Sequence, residues 1–171
     1  LVSSYKDNSL RERLEVPVNG CFVDERTVPI TTDVDQVLDN IWSIGGNRGW
    51  YYTNWLWSIR GVMDKMSGGV GLRRGRTNFN AINAGDTLDF CCFFVADKEQ
   101  KRLLLYAEMK LPGEAWLDFM IVRNDGLDYL KQTATFRPKG LLGRAYWYSV
   151  LPFHYFVFQG MAENIVKFKA S

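Results

Sequence analysis

Histidine-based acid–base or metal chemistry has little to draw on in this chain. His154 is the single histidine among 171 residues. It stands with Val150, Val157 and Met161 at helical spacing, so a neutral imidazole there would face an apolar interior and offer one hydrogen-bond donor. Two carboxylates are candidates to pair with it. Glu108 and Asp118 fall on consecutive strand-like runs, and with Trp116 they would share one face if the even-numbered positions point inward. The other register puts Leu103, Leu105, Ala107 and Met109 inside and leaves these charges in solvent. A packed histidine and a solvated row of carboxylates are the commoner fates of such residues.

Anion chemistry has two candidate sites. The run Gly68-Gly69-Val70-Gly71-Leu72-Arg73-Arg74-Gly75-Arg76 combines free backbone N–H groups with three guanidinium groups, Arg73, Arg74 and Arg76. It departs from the dinucleotide fingerprint G-x-G-x-x-G, because Arg74 stands where the third glycine belongs and because a helix precedes the loop. This segment therefore should not hold a dinucleotide by itself, and a helix-ending loop with a basic face is the simpler reading. Arg137, followed by Lys139 and Arg144, forms the second basic group. Cys21, Cys91 and Cys92 form no C-x-x-C pair, and adjacent residues on a strand point to opposite faces. Reduced, buried thiols are expected, with no metal site.

Composition narrows the classes. Hydrophobic residues make up 47% and aromatic residues 15%, enough to fill one core and to exclude disorder. A net charge of +2 gives no chain-wide footprint for nucleic acid. The longest apolar stretch, 146–158, is interrupted by Ser149, Pro152 and His154, and falls short of the roughly 20 residues a spanning helix needs. No apolar run follows the charged N-terminus, so no signal peptide is visible and a cytoplasmic location is expected. The first residue is Leu1, which suggests a piece of a longer protein.

The elements that would position these residues follow from periodicity. Residues 1–20 read as an arm or linker and 21–171 as one domain. Residues 21–30 suggest a strand, and Thr31-Thr32-Asp33 supplies capping residues for a short helix carrying Val34, Val37, Leu38 and Ile41, ended by Gly45-Gly46. A second, longer amphipathic helix is expected over 47–66, with Tyr52, Trp55 and Ile59 on its stripe. Four strand-like runs follow at 87–95, 103–111, 116–122 and 127–136, joined by short turns that imply antiparallel hairpins. The stretch 139–169 reads as a helix, with Pro152 expected to kink it or begin a new segment. Strands grouped apart from helices give an α+β class. A curved meander around a long terminal helix leaves a space that Tyr52, Trp55, Ile59, Phe90, Trp116, Val150, His154, Val157, Phe158 and Met161 would either fill or line. The aromatic residues of 146–158 go nearly all round that last helix, which implies burial on several sides or docking on a partner domain or membrane.

This order of elements resembles the helix-grip fold of the plant-allergen, START-like and polyketide-cyclase-like superfamily. Local motifs are sharper. Asn47-x-Gly49-Trp50-Tyr51-Tyr52, the Gly/Arg run, Gly85-Asp86-x-Leu88-Asp89-Phe90, Ala107-Glu108-Met109-Lys110-Leu111-Pro112-Gly113, Ala115-Trp116-Leu117, Phe136-Arg137-Pro138-x-Gly140-Leu141-x-Gly143-x-x-Tyr146-Trp147 and Pro152-x-His154 are similar to one uncharacterised family. The resemblance covers residues 21–168. That family is a domain of unknown function found C-terminal to NAD(P)-binding Rossmann domains of the short-chain-dehydrogenase type. It implies a Rossmann partner in cis, with NAD(P) held there and no cofactor in this domain, in an oxidoreductase or nucleoside-diphosphate-sugar-epimerase-like parent. It brings no established catalytic residues.

Three functional readings follow. In the first, the domain binds a small apolar or amphipathic ligand in a helix-grip cavity. In the second, it is a hydratase, cyclase or isomerase using His154 with Glu108 or Asp118, which requires those side chains to converge. In the third, the aromatic residues serve packing and homodimerisation.

Overall fold

The computed structural model describes residues 16–44, 87–88, 91–107 and 112–169, with the backbone alone at 87–88 and 91–96. The first strand, β1 (Phe22–Pro29), leads into a short helix, α1 (Val34–Trp42). Then come β2 (Thr87–Leu88), β3 (Cys91–Asp97), β4 (Arg102–Ala107), β5 (Gly113–Asn124), β6 (Leu127–Pro138) and a 28-residue helix, α2 (Gly140–Lys167). The strands form one antiparallel sheet in the order β1-β6-β5-β4-β3-β2. Thus β3 to β6 are a meander, and β1 joins it beside the last strand. The second expected helix, over 47–66, and the Gly/Arg loop lie outside the described residues.

Local chemistry explains these elements. Asp125 (φ 50°) and Gly126 (φ 78°) both adopt positive φ, which is the backbone of a two-residue type I′ turn, and an Asp-Gly pair is among the best sequences for it. The turn sets the β5–β6 register, with Asn124 opposite Leu127 and the pairing running to Gly113 opposite Pro138. Asp33 occupies the N-cap of α1 in extended backbone, as its sequence position suggests. The helix ends at Trp42, ahead of the two glycines. Pro152 neither starts a new segment nor interrupts the run of helix. It sits on the exposed side of α2, where water can satisfy the carbonyl left without its N–H donor.

Strand alternation divides the sheet into two faces. Phe22, Asp24, Arg26 and Val28 of β1 lie opposite Phe136, Ala134, Gln132 and Leu130 of β6. The same face continues through Ala115, Leu117, Phe119 and Ile121 of β5 to Leu103 and Leu105 of β4. The C-terminal half of α2 packs on it with Val157, Phe158, Met161, Ala162, Ile165 and Val166, and α1 closes the end with Val37, Ile41 and Trp42. Burial of Ile41, Leu103, Phe119, Leu130, Met161 and Ile165 is complete. At about 25 cal/mol per Å² of apolar surface, each such side chain contributes roughly 1.5–3 kcal/mol.

Candidate functional site: the inner face of the sheet under the last helix

Alternation places the odd-numbered positions of β4 and β5 against α2. Of the two registers the sequence allows, the one with Leu103, Leu105 and Ala107 inward is adopted. This register, the one that leaves the carboxylates outside, removes Asp118 as a partner for His154 and takes Trp116 out of the cavity lining. Asp118 faces away from α2, where Arg102 grips its carboxylate from Nε (3.1 Å) and Nη2 (2.7 Å). Trp116 is buried, at 3% exposure, but on that same outer face, with the Tyr106 ring 5.5 Å away. The reason is the pairing of Leu105 with Leu117: once the leucines turn inward, their neighbours must turn outward. Trp116 and Asp118 instead help line an outer groove of about 330 Å³, together with Val16, Pro17, Val18, Thr133 and Thr135. His154 and Asp118 therefore do not converge. Glu108 lies outside the described residues, as do Tyr52, Trp55, Ile59, Phe90, Arg73, Arg74 and Arg76.

Arg137 also belongs to the outer face. Its guanidinium donates from Nε to Glu114 at 2.8 Å, makes a second contact from Nη2, and lies 5.7 Å over the Trp116 ring. The hydrogen bonds to Glu114 push its pKa up. A guanidinium already satisfied by a carboxylate is poorly placed to capture a free anion, so Arg137, a candidate anion contact that could equally dress the surface, is held in an ion pair. Arg102 is likewise pushed up, first by its hydrogen bonds to Asp118.

The inner face carries the candidate site. His154 points inward from α2, with its ring 5.0 Å from Trp147, edge-on, and 4.8 Å from Phe158. Both of its ring nitrogens are shielded from solvent. Trp147 stacks on Phe22 at 5.4 Å and on Phe136 at 5.8 Å, so the two facing strands and the helix share one aromatic cluster. Val150 is half-buried, while Val157, Phe158 and Met161 belong to the packed core. The helix thus passes from an aromatic end at Trp147, past His154, to an aliphatic end at Ile165.

Three polar side chains on this wall were not singled out from the sequence. Asp24 pairs with Arg26 at 2.8 Å, and its side chain is only 8% exposed. The Arg26 guanidinium lies 4.7 Å over the ring of Tyr155. Gln132 is 1% exposed and donates from Nε2 to the Phe158 carbonyl at 3.3 Å. After these contacts, Asp24 Oδ2, Arg26 Nε and Gln132 Oε1 remain buried without a hydrogen-bond partner. Each such atom costs roughly 1–3 kcal/mol, so three on one wall is a departure from ordinary core construction. Strand alternation could have flagged them, since Asp24 and Arg26 lie between Phe22 and Val28, and Gln132 between Leu130 and Ala134.

Among solved structures, the chain is similar to ginseng major latex-like protein 151 from Panax ginseng, with a TM-score of 0.50 and 8% identity over 87% of this chain and 97% of that one. It is also similar to norcoclaurine synthase from Thalictrum flavum, with a TM-score of 0.49 and 12% identity over 98% of this chain and 95% of that one. Among curated proteins, none matches the chain in sequence. The architecture is the α+β helix-grip fold, a curved antiparallel sheet closed by a long C-terminal helix. Residues 19–161 match the family described as "Protein of unknown function (DUF2867)", and the chain belongs to that family.

Proposed function

We propose that this domain is a binding module for a small apolar or amphipathic molecule, held between the inner face of the sheet and α2. The observation that carries this reading is the cluster of buried polar atoms without partners on that wall: Asp24 Oδ2, Arg26 Nε and Gln132 Oε1. They form one patch on the β1–β6 part of an otherwise apolar face and leave two acceptors and one donor for a guest to satisfy. His154 shares the wall and adds a titratable edge. The enzyme reading that paired His154 with Asp118 loses its carboxylate to the outer face. In the parent protein the module works beside an NAD(P)-binding Rossmann domain in cis, presenting substrate to a cytoplasmic oxidoreductase of epimerase-like type. Native mass spectrometry of the full-length protein tests both parts. A retained small molecule released on denaturation, together with bound nucleotide, is the expected result. A ligand-free spectrum, combined with no binding of any apolar fluorescent probe, would overturn the binding reading.

A further inference from the structure

The first four turns of α2 present an apolar face outward. Leu141 is 84% exposed, Leu142 78%, Phe156 66% and Phe153 60%, with Tyr148 and Tyr155 also exposed. The two leucines and two phenylalanines lie on the side of the helix opposite Gly143, Trp147, His154 and Phe158, which face the sheet, while Tyr148 and Tyr155 flank that side with their rings against Phe22 and Arg26 of β1. Ala145, Ser149 and Pro152 complete the face, and Arg144 sits at its edge. Further along the same helix, the outward side becomes polar. Gln159 donates to Glu163 at 2.8 Å and Lys167 to Glu163 at 3.1 Å. The apolar face is therefore confined to 140–156, a length of about 25 Å. A contiguous exposed patch of this kind normally has something to cover.

Charge distinguishes the occupants. From 129 to 162 the chain contains no aspartate or glutamate. The first turn of α2 has no acidic residue, and Lys139 stands at its N-cap. Neither Lys139 nor Arg144 forms an ion pair among the described residues. The partial positive charge of the helix N-terminus adds to theirs. A second copy of this face would bring the same cations and no acid to meet them. An anionic bilayer surface meets every term of the pattern: leucine and phenylalanine for the acyl boundary, tyrosines for headgroup depth, and cations for phosphate. No described helix is long and apolar enough to cross a membrane, so α2 would lie along the surface.

We infer that the outward face of 140–156 docks the protein on anionic lipid bilayers. The test is co-sedimentation of the full-length protein with phosphatidylcholine vesicles, with and without phosphatidylserine. Phosphatidylserine should raise binding about tenfold or more, at roughly 1 kcal/mol per basic residue, and salt should reverse the gain. Phe153→Glu with Phe156→Glu, both exposed, should abolish binding while leaving the circular dichroism spectrum and melting unchanged. Lys139→Glu with Arg144→Glu should remove the phosphatidylserine preference. Equal binding by the wild type and both variants overturns the proposal, as does no binding to either vesicle. Light scattering that shows a dimer dissolved by the Phe153→Glu/Phe156→Glu variant overturns it in favour of a protein interface.

Discussion

Asn40 on α1 donates from Nδ2 to the main-chain carbonyl of Ile165 at 2.8 Å, across 125 positions of sequence. The same nitrogen reaches the Phe168 carbonyl at 2.9 Å. Carbonyls in the last turn of a helix have no partner within it, so a buried asparagine from another element supplies what α2 lacks. Thr32 assists by donating to the Val166 carbonyl at 3.0 Å. The short helix is thereby a clasp on the end of the long one.

Replacing Asn40 by Ala should cost about 1–3 kcal/mol, because one buried and one part-buried hydrogen bond vanish and the Ile165 carbonyl stays shielded. Asn40→Asp should cost at least as much at neutral pH, since a carboxylate cannot donate and would face two carbonyl oxygens. Urea denaturation of the variants measures this. A loss below 0.5 kcal/mol would show the clasp to be dispensable.

Gly143 lies where α2 passes the start of β5 and the end of β6. A Cβ there would meet the Pro112 carbonyl oxygen and come within 2.8 Å of Pro138 Cα, both of them backbone atoms that cannot swing aside. Gly143→Ala should therefore destabilise by about 1–3 kcal/mol, although alanine is the better helix former. Leu142→Ala, one position away and exposed, serves as the control and should be near neutral.

The Arg102–Asp118 pair is structural on this geometry. Asp118→Asn should cost about 1–2 kcal/mol of stability and should leave ligand binding unchanged, since its carboxylate is turned from the candidate site. His154→Ala should weaken ligand binding. A ligand titration with each variant separates the two faces of the sheet. A loss of binding in Asp118→Asn equal to that in His154→Ala would contradict the assignment of faces.

Burial pushes the Cys21 thiol up, against the lowering effect of Arg137 nearby. A raised pKa in the folded state means that folding favours the protonated thiol. Its contribution to stability is present below the unfolded value and lost as pH rises through the folded one, in the alkaline range. Alkylation of Cys21 by iodoacetamide at mildly alkaline pH, followed by peptide mapping, should be slower in the folded than in the unfolded protein. Equal rates would show the thiol to be fully solvated.

Much of the fold was legible from spacing alone. The hairpin turn at Asp125-Gly126, the cap at Asp33 and the long terminal helix are all determined by neighbours in sequence, and each is found. The choice of face on β4 and β5 was not legible. Leu105 and Trp116 are both good buried residues, and only the packing of α2 decides which side becomes the interior. That long-range contact moved Trp116 and Asp118 away from His154. The same applies to Asp24, Arg26 and Gln132. Each looks solvated in its own strand; Gln132 and the Asp24 side chain are buried only because a helix far along the chain covers them, and Arg26 stays partly exposed beside them.

The place of β1 in the sheet has a consequence for synthesis. Among the described strands it bonds to β6 alone, so Phe22 waits for Phe136. At about 5–20 residues per second, a ribosome leaves the first strand without its edge for roughly 5–20 s. The hairpins of β3 to β5 can form during that interval, but Val28 and Phe22 stay uncovered. This domain closes late, and its earliest strand is the one most exposed to capture by chaperones.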